Sequence, residues 1–183
     1  MFDGQSLGLI PGAPNNYPTV TMQSFPTWAW TNVHIGAMSW TQLAATQTGR
    51  CHVHANTGLV TVLVMCGGTS DIYVEQDSGA TCYADHVAYA DAARAAGFDL
   101  VVATTLVKAD GYGGGAETRR TDFNTLLLAD ASNAFDAVAD FAADPSLDDP
   151  TDTTYYLDGI HWKIAGAAAA AACMVPVLQS LGL

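Results

Sequence analysis

The sequence predicts an α/β domain of three layers, with helices on both faces of a central parallel sheet. Two continuous β-branched runs, Gly58 to Cys66 (GLVTVLVMC) and Phe98 to Leu106 (FDLVVATTL), end in Gly-rich or polar turns, as strands buried on both faces do. Between them Tyr83 to Ala96 has helical spacing, with Tyr83, Val87 and Ala90 on one face and Gly97 as the stop signal. Strand, helix, strand in that order is a βαβ unit with a right-handed crossover.

The remaining elements follow in order. Met1 to Asp3 reads as the end of a first strand and Thr31 to Ile35 as a second, while Pro11, Pro14, Pro18 and Pro26 break any long helix in the first quarter. A helix from Glu117 to about Ala131 is expected to bury Phe123, Leu126 and Leu127, and a strand is expected from Ala134 to Phe141. The last helix follows Trp162 and is expected to bend at Pro176, which removes a backbone donor and clashes one turn back. The sheet thus has about five strands. No repeat or linker interrupts the chain, so residues 1–183 are read as a single domain, the size at which one core suffices.

Composition narrows the function. Half the residues are hydrophobic and 13% are charged, which excludes a disordered chain or a coiled coil. Six Lys and Arg face 18 Asp and Glu, and the net charge of -12 lacks the basic footprint that nucleic acid or an anionic membrane needs. No apolar run is long enough for a membrane helix, Ala165 to Ala172 reads as a close-packed helix, and no basic, then apolar, export signal opens the sequence. The compartment stays open. Cys51, Cys66, Cys82 and Cys173 are widely spaced and contain no CxxC pair, so neither a zinc knuckle nor a disulfide framework is indicated, and no cofactor is expected.

In open parallel sheets the ligand lies beyond the carboxyl ends of the strands. That rule selects Asp3-Gly4-Gln5-Ser6-Leu7, Gly67-Gly68-Thr69-Ser70-Asp71 and Asp158-Gly159-Ile160-His161. A serine hydroxyl is a weak nucleophile until a base takes its proton, and the base must be held by a third group. Asp158 and His161 have the spacing to supply both, three residues apart on one face of a helical turn. Ser6, between Gly4 and Gly8 at a strand end, is the candidate nucleophile, where free N–H groups face a developing oxyanion. The bland readings are a helix cap with a surface histidine for Asp158 and His161, and a turn serine for Ser6.

Taken together these blocks resemble the SGNH, or GDSL-type, serine hydrolase superfamily across nearly the whole chain. Asp3-Gly4-Gln5-Ser6-Leu7 is similar to the family's first block, with Gln5 where the family has an acidic residue, and Tyr156-Leu157-Asp158-Gly159-Ile160-His161 followed by Ala165-Gly166 is similar to its last. The resemblance implies a flavodoxin-like three-layer SGNH fold and a Ser6, Asp158, His161 triad. It also implies an oxyanion hole of the Ser6 N–H, a glycine amide and an Asn side chain. Gly36 is the candidate glycine, with Ser39 as a competing register, and Ser70 stands where the Asn of the family's Gly-x-Asn-Asp block belongs.

Weaker patterns have plainer readings. Cys51-His52-Val53-His54 lacks a third metal ligand and reads as a polar loop; no metal site is expected. Gly111-x-Gly113-x-x-Ala116 stands too far from its strand for a dinucleotide fingerprint and reads as a loop over the cleft. Tyr17, Phe25, Trp28, Trp30 and Trp40 are mostly core, with at most one or two facing substrate. Asp144, Asp148, Asp149 and Asp152 depart from calcium-loop spacing and form an acidic approach to Asp158, which favours neutral substrates over anionic ones. The expectation is therefore a serine esterase for small acyl esters, an O-acetylated glycan first. The alternative is a weak or inactive glycan-binding module of the same fold, and either fits a place within a larger secreted or virion assembly.

Overall fold

In the computed structural model, which describes residues 2–4, 16–31, 33, 37–51, 55 and 58–183, four strands pair in parallel in the order of the chain. They are β1 (Phe2–Gly4), β2 (Val62–Cys66), β3 (Leu100–Thr104) and β4 (Ala137–Ala139). Successive side chains of a strand point to opposite faces, and both faces of the two central strands are apolar. Leu63, Met65, Val101 and Ala103 pack on one side, and Val62, Val64 and Val102 on the other.

Each face is covered by helices. Helices α2 (Trp40–Cys51), α3 (Gly79–Ala96) and α4 (Gly115–Ala129) close the first side, and α1 (Tyr17–Met22) packs with α5 (Ile164–Ser180) over the second. The three-layer architecture expected from the sequence is present. The sheet has four strands among the described residues rather than about five: Thr31 and Val33 lie in irregular backbone, and residues 32, 34 and 35 lie outside the described set.

Local chemistry sets the helix boundaries. Ser78 caps α3 by accepting a 3.0 Å bond from Thr81 N, so the helix starts four residues before the apolar spacing suggests, and Gly97 ends it as expected. Its buried stripe is Cys82, His86, Tyr89, Ala90 and Ala93, one position away from the expected Tyr83 and Val87, which are half-buried on the flank. The shift arises because a polar residue, His86, occupies the centre of the stripe. On α4, Phe123 and Leu127 are buried but Leu126 is 36% exposed, which corrects its assignment to the core. Helix α5 runs through Pro176 to Ser180 as one element.

Helices α3 and α4 meet at Gly79. A Cβ there would lie 2.5 Å from Phe123 N and 2.6 Å from Arg119 O, both backbone atoms of α4 that cannot step aside singly. Gly79→Ala should therefore force the helices apart and lower the unfolding free energy by about 1–3 kcal/mol, as overpacking does. Urea denaturation followed by circular dichroism measures this; an unchanged midpoint would contradict the packing described.

Candidate active site

All four strands point the same way, so their carboxyl ends share one edge of the sheet. At that edge Cys66 at the end of β2, Gly67 and Thr69 after it, Leu106 and Lys108 after β3, and His161 line a cavity of about 50 Å3. Two of the three loops selected from the sequence therefore converge. The third, read from Asp3, starts within β1, where Asp3 pairs with Met65 and Gly4 with Cys66. Ser6 and Gly36 lie outside the described residues.

Asp158 and His161 are in direct contact. Asp158 Oδ1 accepts the backbone N–H of Ile160 (3.1 Å) and of His161 (2.8 Å), and Oδ2 lies 2.8 Å from His161 Nδ1. The two do not sit in the expected helical turn. Gly159, at φ +79°, takes the chain out of helical geometry, and residues 157–161 close through Leu157 N donating to His161 O at 2.8 Å. The carboxylate itself organises the turn, and α5 begins only at Ile164. Gly159 is also pinned from outside: Asp110 N donates to its carbonyl at 2.9 Å, and a Cβ on it would come within 2.6 Å of Asp110 Cβ. The residue just before the Gly111 to Ala116 loop thus docks on the histidine turn.

The backbone N–H of His161, foremost, and then its ring hold the Asp158 carboxyl below the usual carboxylate range. An ionised carboxylate can only accept, so Nδ1 carries a proton, and the neutral ring in this arrangement has its lone pair on Nε2. This is the tautomer a general base needs.

The Gly67 to Asp71 block divides its tasks. Gly67 and Thr69 line the cavity, whereas Ser70 is 7% exposed, opens a π-helical segment (Ser70–Glu75) and is not among the lining residues. Asp71 is fully buried and its Oδ1 accepts the first N–H of α2, from Trp40, at 2.9 Å. Burial pushes its carboxyl up to about 6, opposed by that bond and reinforced by Asp77 and Asp85.

A second polar anchor was not anticipated from the sequence. Asn124 exchanges two 2.8 Å bonds with the backbone of Leu106, and Arg120 Nη1 donates to the same carbonyl at 2.7 Å while Glu117 grips its guanidinium at 2.8 and 2.6 Å. The available signal was a polar residue, Asn124, beside Phe123 on the apolar face of α4. Lys108 Nζ pairs with Asp148 Oδ1 at 2.7 Å, placing one cation of the acidic approach beside the cleft. The other aspartates there cap their own turns: Asp144, Asp149 and Asp152 each accept the N–H two residues on, at 2.7–2.9 Å.

Among the aromatics, Tyr17, Phe25 and Trp40 are core, and Trp28 and Trp30 line a separate apolar cavity of about 480 Å3 by the start of β2. None of the five lines the cavity beside His161. Cys66, Cys82 and Cys173 are free thiols, and residues 52–54 lie outside the described set. No helix among the described residues is long and apolar enough to cross a membrane.

No family model and no curated protein matches the sequence. Solved structures do match over nearly their full length. A lipolytic protein of the G-D-S-L family from Veillonella parvula is 18% identical with a TM-score of 0.80, covering 97% of this chain and 96% of its own. A carbohydrate acetylesterase from Sinorhizobium meliloti is 10% identical at TM-score 0.80, covering 98% of each chain. A carbohydrate esterase of family 3 from Talaromyces cellulolyticus is 14% identical at TM-score 0.69, covering 99% of this chain and 98% of that one. The chain therefore has the SGNH, or GDSL-type, hydrolase fold, and two of these three neighbours are carbohydrate esterases.

His86 supplies a test of the packing beneath the cleft loop. It is fully buried under Gly68, donates Nδ1–H to Cys82 O at 2.9 Å, and burial lowers its pKa to about 4. A histidine harder to protonate when folded stabilises the fold fully above the unfolded value of 6.5 and loses that contribution as pH falls toward 4. Lowering the pH from 7.5 to 5 should remove about 2 kcal/mol from the wild type that His86→Gln does not lose. Parallel pH dependence of the two proteins in urea titrations would refute this.

Proposed function

We propose that the chain is a serine esterase acting on small acyl esters through Ser6, His161 and Asp158, with an O-acetylated glycan as the first substrate class to test. The observation that carries the reading is the 2.8 Å pair of Asp158 Oδ2 and His161 Nδ1 at the carboxyl edge of the sheet, beside Cys66. Cys66 pairs with Gly4, and Ser6 follows Gly4 by two residues, a reach of at most about 7 Å in chain length.

In this mechanism His161 Nε2 takes the Ser6 hydroxyl proton as Oγ attacks the ester carbonyl. The Ser6 and Gly36 N–H groups hold the oxyanion with a third donor from the Gly67 to Asp71 block, Ser70 or its neighbour Thr69, and His161 returns the proton to the leaving alcohol. Water then repeats the steps on the acyl-enzyme and releases the acid. A cavity of about 50 Å3 beside the base suits a short acyl group. The acidic approach, partly relieved by Lys108, favours a neutral ester.

A glycan-binding module of the same fold is the second reading, and the placement of Ser70 favours it. Ser70 is nearly buried and Thr69 faces the cavity instead. Loss of one oxyanion donor raises a barrier by about 2.7–4 kcal/mol.

A fluorophosphonate probe should label the wild type at neutral pH and fail to label Ser6→Ala, while His161→Ala should lower kcat/KM on p-nitrophenyl acetate by roughly a thousandfold or more. Absence of labelling in folded wild-type protein would favour the binding module. Faster turnover of the octanoate than of the acetate would overturn the short-acyl assignment. Thr69→Val and Ser70→Ala, assayed side by side, identify the third donor: the one that loses kcat without a matching rise in KM contributes it.

A further inference from the structure

Asp71, Asp77 and Asp85 come from three successive segments: the π-helical segment, the loop after it and the second turn of α3. One carboxylate oxygen of each lies within 4.8 Å of the others. Among the described residues, no Lys or Arg makes an ion pair with any of the three. Asp71 is fully buried, and while its Oδ1 takes the Trp40 N–H, its Oδ2 is buried with no hydrogen-bond partner. Buried acceptors are almost always paired, and three carboxylates this close repel one another. A cation among them removes both penalties.

We propose that Asp71, Asp77 and Asp85 bind one calcium ion, which ties the segment following β2 to α3. The donor set selects the metal. Hard oxygen ligands from several carboxylates in irregular geometry suit calcium, whereas magnesium keeps most of its water and takes one or two carboxylates. Zinc prefers imidazole and thiolate, and the nearby Cys82 is fully buried as a neutral thiol. The ion does not touch the cleft. It acts on position: Asp71 holds the first turn of α2 through Trp40 N, and the Trp40 ring packs against Gly67, which lines the cavity.

The test uses the full chain stripped with EDTA. Calorimetric titration with calcium chloride should show one ion per chain, and millimolar calcium should raise Tm by several degrees over the EDTA sample. Asp77→Asn and Asp85→Asn should each weaken binding roughly tenfold or more and remove the rise in Tm. Asp91→Asn, on the exposed side of α3, should bind as the wild type does. No heat and no change in Tm at millimolar calcium would overturn the site. Unchanged affinity in Asp77→Asn and Asp85→Asn would place the ion elsewhere and overturn it as well, and tighter binding of magnesium would overturn the choice of metal. Neither readout involves a substrate, so the result is independent of the esterase reading.

Discussion

Parallel pairing is the constraint on which the rest of this molecule depends. In a parallel sheet every strand must leave at the same edge, and the return path must cross a face as a helix or long segment. Here Gly4, Cys66, Thr104 and Ala139 end at one rim. Residues distant in sequence are brought together there with no contact of their own to drive it. Apolar burial on both faces of β2 and β3 holds the sheet, and the rim is what remains for chemistry.

Loops at such a rim would be loose without anchors. The buried side chain of Asp71 grips the start of α2 and those of Asn124 and Arg120 grip Leu106, while Asp110, itself exposed, holds the histidine turn through its backbone N–H. Each replaces the ladder bonds that the backbone loses on leaving the sheet, so each meets the need of a buried peptide group for a partner. Removing the Asp71 or Asn124 side chain strands a buried partner, which makes these two positions more costly to change than their modest contact area suggests.

The layers, the two central strands and helices α3, α4 and α5 were legible because they rest on local signals, β-branched runs, helical spacing and Gly97, whereas α1 and α2 were not read. The Asp158 and His161 pairing was legible from three-residue spacing, although the sequence suggested a helical turn and the contact is made through a glycine-containing bend. What was hidden depends on distance. His86, Asp71 and Asn124 are polar residues in apolar surroundings, and only the fold shows what each one faces. Leu126 was misplaced for the converse reason: an apolar side chain in a good stripe still faces solvent when the stripe is wider than the surface it covers.

Asp144, Asp149 and Asp152 bend the backbone by accepting the N–H two residues ahead, and Asp158 does the same with Ile160. Asp158 is thus the last member of a series of ordinary turn-formers, distinguished only by an imidazole against its second oxygen. The carboxylate therefore has a structural duty that does not depend on the ring: with another side chain at position 161, Oδ1 would still have the two N–H groups of the turn to accept.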